Sequence, residues 1–146
     1  MEQVAGVDDK GPFVIDRPGE YEVKNVFIMG IGAYHDKKEG AERGKSTIFK
    51  IEVNDLSVVH LGDLGTSLSD RQLTKIGDVD ILLIPVGGKY TINAREAAEV
   101  VRQIEPRIVI PMHYKLPGLK IDLDGPEAFI KEMGGVSERL PKLKIS

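Results

Sequence analysis

The tightest constraint on the fold of this chain is a pair of uninterrupted apolar runs, DILLIPV at 80–86 and RIVIPM at 107–112, with a helix signal between them. Strands without polar alternation are covered on both faces, whereas half-buried strands alternate. Between the runs, Asn93 with Glu96 is a looser version of a capping box; Ala97, Val100, Val101 and Ile104 then recur at helical spacing until Pro106 stops the helix. Two further helices show by their ends. Ser69 with Gln72 opens one that Gly77 closes, and a second runs from Asp124 to Met133, with Pro126 and Glu127 in its first turn and Gly134-Gly135 beyond it. Upstream of residue 61 the pattern is short β-rich runs: PFVI (12–15), EVKNVFIMGI (22–31), STIFKIEV (46–53) and SVVHL (57–61). They are parted by turn chemistry at DRPGEY (16–21), a charged loop and a hairpin turn at Asn54-Asp55. A mainly antiparallel sheet followed by strand-helix-strand-helix builds layers of sheet covered by helices.

At 146 residues the chain has the size of a single domain, 1–146. Its net charge of −3 and scattered Lys and Arg give no footprint for nucleic acid. With no cysteine, disulfides, thiolate zinc sites and thiol nucleophiles are excluded together, which leaves three histidines and the carboxylates for chemistry. No stretch approaches the ~20 apolar residues of a membrane span. MEQVAGVDDKGPF also lacks the basic and apolar regions of a signal peptide. The expectation is a cytoplasmic protein without a membrane partner.

All three histidines stand where an apolar run gives out: His35 after NVFIMGIGAY, His60 at the end of LSVVH and His113 after RIVIPM, with Asp63 just beyond the second. Strand ends at one sheet rim hold a backbone firmly while its side chains project into a crevice. Imidazole and carboxylate are good zinc ligands, and a catalytic zinc needs only about three protein ligands. Taken singly, each histidine reads equally as a core or surface residue with one hydrogen bond. Gly62 and Gly65 flank Asp63-Leu64 and permit a positive φ or a close backbone approach beside the carboxylate, although a plain turn uses the same residues.

Other patterns fall away. MGIGAYH begins like a dinucleotide fingerprint, but His35 stands where the third glycine belongs. No G-x-S-x-G elbow exists, so Ser67 and Ser69 read as loop and cap residues. PVGGKYTINAREAAE joins a Gly-rich turn to a helix start without the ending of a P-loop. Gly87, Gly88 and Lys89 there are candidate anion contacts, as are Arg43 and Lys45 in the charged loop after His35.

The ordered set AYHD, HLGDLG, ILLIPVGG and VIPMHY resembles the metallo-β-lactamase superfamily, in its branch of small zinc-dependent hydrolases akin to ascorbate-phosphate lactonases. The resemblance runs from DRPGEYEV to HYKLPG. It implies an α+β fold, an αββα sandwich, of which this chain matches the downstream two thirds. It implies His35, Asp63 and His113 as metal ligands, Asp63 as the catalytic, metal-bridging carboxylate, and His60 behind the ligands rather than among them. One or two zinc ions would activate water against an ester, lactone, amide or phosphodiester of a small-molecule substrate. The family's H-x-H-x-D-H motif is absent from the 146 residues. The resemblance therefore predicts weak zinc binding and impaired hydrolysis. The alternative readings are a non-catalytic scaffold of the same fold, and an anion binder that uses the PVGGKY turn. An open sheet edge and apolar surface predict a homo-oligomer.

Overall fold

The computed structural model describes residues 12–145, so most of the N-terminal stretch that bears on a leader peptide lies outside the described residues. Strands β1 (Gly19–Val23), β2 (Val26–Tyr34), β3 (Lys45–Val53), β4 (Leu56–His60), β5 (Ile81–Pro85) and β6 (Ile108–Met112) form one sheet in chain order. The first four pair antiparallel, while β4–β5 and β5–β6 pair parallel. It follows that β2, β4, β5 and β6 all run the same way, and their C-terminal ends share one rim.

Two hairpins set the register of the antiparallel half. Asn54 and Asp55 have φ of 48° and 61°, the double positive φ of the tightest hairpin turn, as the sequence predicts. The other turn differs from expectation. It lies at Lys24-Asn25, with φ of 51° and 62°, so EVKNVFIMGI is the end of β1, a turn and most of β2, and DRPGEY leads straight into β1. PFVI forms no strand; Phe13 and Val14 are exposed.

Helices α1 (Asp70–Ile76), α2 (Ala94–Ile104) and α3 (Glu127–Glu132) follow the cap signals, α3 being shorter than the sequence suggests. Both expected capping boxes are formed, Ser69 with Gln72 and Asn93 with Glu96. Gln72 also donates from Nε2 to the Gly32 carbonyl at 2.7 Å, which ties the start of α1 to β2. Helix α2 buries Ala97, Ala98, Val100, Val101 and Ile104, and its larger side chains contribute about 1.5–3 kcal/mol each.

The register separates two sheet faces. Ile31, Ile48, Val59, Leu82 and Ile84 lie on the face that packs with Ile76, the α2 stripe and Phe129 in one core cluster. On the other face Tyr21, Ile28, Ile51, Val58, Ile81 and Ile108 form a row through all six strands, and all but Ile81 are only partly buried. The expectation of strands covered on both faces holds for β5, where Ile81, Leu82, Ile84 and Pro85 are buried, and is corrected for β6. Leu83 and every residue of β6 are partly exposed, because the helices cover one face and β6 is an edge strand.

Candidate metal centre

The rim where β2, β4, β5 and β6 end carries every histidine of the chain. β4 ends on His60, whose Nδ1 accepts the Gly62 amide at 3.0 Å, so this ring holds the following loop in place. Gly62 has φ of 57°, and a Cβ there would lie 2.9 Å from Ser46 Oγ and the Thr47 carbonyl. Glycine lets the chain turn against β3. Leu61 and Leu64, both fully buried, anchor the loop on either side of Asp63, whose amide donates to Ser46 Oγ at 3.2 Å and whose side chain stands in solvent. At the loop's far end the Gly65 amide donates to the Tyr34 carbonyl at 2.9 Å, and a Cβ on Gly65 would sit 2.2 Å from the His35 carbonyl. The two glycines thus do different work, one by its positive φ and the other by its lack of a side chain.

His113 follows β6 with φ of 53°, a left-handed conformation that histidine adopts more readily than most non-glycine residues. Its Nε2 lies 3.8 Å from Asp63 Oδ1. That is too long for a hydrogen bond. Two ligands of one tetrahedral zinc ion, each at about 2.0–2.2 Å, lie about 3.4 Å apart, so the pair would hold one shared ion after closing by about 0.4 Å.

His35 does not join them. Its Nε2 is buried without a hydrogen-bond partner, and among the described residues no group of three His, Asp or Glu side chains is arranged around an ion-sized space. Of the expected trio of His35, Asp63 and His113, the structure brings Asp63 and His113 together and leaves the buried His35 Nε2 without a partner. β2 and β6 are separated by β3, β4 and β5, roughly 19 Å at ordinary strand spacing, and the loop after β4 lies between them with Gly65 against His35 and Asp63 toward His113. Asp63 and His113 fit a metal ion as two of its ligands. The described residues do not complete its shell.

Asp36, next to His35, is a feature that sequence reasoning missed. It is only 2% exposed, and its carboxylate accepts four backbone amides: Lys38 and Gly40 on Oδ1, Glu42 and Arg43 on Oδ2. Burial works against its charge, but the amides of Arg43, Lys38, Gly40 and Glu42 outweigh burial and hold the carboxyl below its ordinary pKa. The charged loop 36–44 is thus a fixed shape rather than a loose one. The signal was present in the sequence, since an aspartate followed by lysines and glycines often folds a turn around its own carboxylate.

The remaining candidates lie around this rim. Gly87 packs against the His113 carbonyl, and Gly88, with φ of 63°, turns the chain toward Lys89. Lys89 pairs with Asp122 at 2.9 Å, and Lys45 is exposed at the start of β3. Arg43 and Lys89 both approach the ring of Tyr90, 5.5 and 5.8 Å from its centroid.

This arrangement has counterparts. Residues 2–113 match the family described as the Beta-lactamase superfamily domain. A UPF0173 metal-dependent hydrolase from Pyrococcus horikoshii is 32% identical over 82% of this chain and 53% of its own length. A UPF0173 protein from Pyrococcus furiosus is 49% identical over 52% of this chain and 33% of its own. A solved Thermotoga maritima protein of the metallo-β-lactamase superfamily superposes with a TM-score of 0.73 at 44% identity, over 82% of this chain and 58% of that one. This chain belongs to the metallo-β-lactamase superfamily. Its mixed six-stranded α+β sheet with few helices matches this fold, and relatives of it are named metal-dependent hydrolases. This superfamily chain spans about half the length of the curated relatives it matches. Among the described residues no helix is long and apolar enough to cross a membrane.

Proposed function

We propose that this chain carries part of a zinc-dependent hydrolase site, with Asp63 and His113 as ligands and a small molecule as substrate. The observation behind the proposal is the approach of His113 Nε2 to Asp63 Oδ1, 3.8 Å, at the rim where the strands end. A donor set of imidazole and carboxylate without thiolate suits zinc. The Thermotoga maritima relative, whose name assigns it provisionally to zinc-dependent hydrolases, supports the choice of metal. When bound, such an ion supplies Lewis acidity and lowers the pKa of water to about 7. The chain's own residues do the rest. Asp63 stands in solvent on a loop whose backbone is pinned by Leu61, Leu64 and the His60 ring, so its carboxylate is presented at the rim from a fixed Cα. His113 is fixed by its left-handed backbone and by Gly87 packed against its carbonyl. The bond attacked would be an ester, lactone, amide or phosphodiester.

With two ligands brought together, the affinity expected for zinc is weak and the activity of this chain low. Zinc content after dialysis and hydrolysis of bis(p-nitrophenyl) phosphate test this directly. The expected result is substoichiometric zinc and slow turnover, both lost in Asp63→Ala. Stoichiometric zinc with fast turnover would overturn the impairment. A second reading, a scaffold of this fold without metal, is favoured by the lack of a three-ligand cluster among the described residues. It predicts no zinc at all on the folded wild-type chain. Two further proposals accompany the main one. Self-association draws support from the partly exposed apolar row on the helix-free sheet face. Cytoplasmic residence is tested by cell fractionation.

A further inference from the structure

Arg43 and Lys89 come from loops 46 positions apart in the chain, yet both cations approach one exposed ring, that of Tyr90. The backbone that carries each cation is held in place. The Arg43 amide is held at 2.7 Å by the buried Asp36 carboxylate, which fixes the loop that leaves His35. Lys89 sits at φ 54° in a turn whose Gly88 carbonyl accepts the Tyr90 amide, and the Ile92 amide two residues beyond Tyr90 donates to the Leu64 carbonyl, beside Asp63. The same turn begins at Gly87, against the carbonyl of His113. The Lys89 turn is therefore moored at His113 and beside Asp63, and the Arg43 loop at His35 and Asp36 on the same rim.

Two like charges drawn to one ring repel each other, and a cation over an exposed ring gains little on its own. Among the described residues the Arg43 guanidinium has no carboxylate partner, while Lys89 has only Asp122, itself almost fully in solvent. An arrangement of this kind stabilises a third party of negative charge. Arg offers a planar fork of donors and Lys a compact charge, the combination that binds anionic oxygens.

We propose that Arg43 and Lys89, gathered on the Tyr90 ring, form an anion clasp that anchors a phosphoryl or carboxylate group of the substrate beside the Asp63–His113 pair. As a statement about substrate this rests on the hydrolase reading; as a binding site it stands by itself. Asp122 is its internal competitor. It neutralises Lys89 when the clasp is empty and gives way to the incoming anion.

The test is an amide NMR titration of the full chain, stripped of metal by chelator, with inorganic phosphate and in parallel with acetate, at low ionic strength. Saturable shifts centred on residues 43 and 89–91 are expected with at least one of the two anions, and the tighter one tells a phosphoryl from a carboxylate substrate. Arg43→Gln and Lys89→Gln should each weaken binding about five-fold, the worth of one unit charge at about 4 Å in water. Asp122→Asn should tighten it, a gain that a general loss of structure could not produce. Shifts that fail to saturate with both anions, that centre elsewhere, or that survive both substitutions would overturn the clasp. Because metal is left out, the zinc measurement can fail while the clasp stands, and the clasp can fail while zinc binds.

Discussion

Gly65→Ala is the substitution on which the account of the rim depends most. The added Cβ would lie 2.2 Å from the His35 carbonyl carbon and oxygen and 2.5 Å from the Asp36 amide, all backbone atoms that no rotamer can move aside. It falls about 1.2 Å inside the 3.4 Å at which ordinary contact begins, so the 62–65 loop and the 34–36 segment must part by about that much. Forcing a methyl group into a packed place costs about 1–3 kcal/mol. Parting the segments also breaks the Gly65 amide bond to the Tyr34 carbonyl, for about 1 kcal/mol more. The expected loss is about 2–4 kcal/mol in urea unfolding. Gly44→Ala is the control, since Gly44 has φ of 83° with open space where its Cβ would go, and strain in the left-handed region alone costs about 1–2 kcal/mol. A shift of about 1 Å in a positioned group can cost about a hundred-fold in function, so zinc affinity should fall with stability in Gly65→Ala and hold in Gly44→Ala. The reasoning is refuted if Gly65→Ala unfolds within 0.5 kcal/mol (about the scatter of a neutral surface change) of wild type with zinc affinity unaltered.

Three other outcomes are expected. Asn93→Ala removes the side-chain acceptor of the Glu96 amide at the start of α2 and should cost about 1 kcal/mol, while Asn93→Ser restores most of it, both read by urea unfolding. Asp80 accepts the Ser57 amide and the Arg107 guanidinium, which hold its carboxyl below its ordinary pKa; the stabilisation it gives is therefore complete above the ordinary carboxylate range and is lost as pH falls through its lowered value. A series of unfolding curves should show Asp80→Asn less stable than wild type at pH 7, with the gap closing as pH falls below about 4. Sedimentation at tens of micromolar should show self-association, and a clean monomer would count against pairing through the partly exposed sheet face.

The contrast between His35 and His113 shows what a single sequence discloses and what it withholds. Each of these residues was legible as the terminus of an apolar run, because alternation, caps and turn formers are local and recur at fixed spacing. Both capping boxes, the Asn54-Asp55 turn and the positive φ of Gly62 were legible for the same reason. The turn at Lys24-Asn25 was not, since lysine has no special tolerance of positive φ and only the pairing of Val23 with Val26 forces it there. Strand order is non-local in the same sense. No residue near His35 records that three strands separate β2 from β6. Once that order is fixed, the loop after β4 is the only segment among the candidates placed to face both ends of the rim, and it does so by spending its two glycines differently. Gly65 takes the close approach to His35, which leaves Asp63 free to face His113. Two donors on one side and a buried, unpartnered imidazole on the other are what this strand order presents along the rim, with the short loop after β4 touching both.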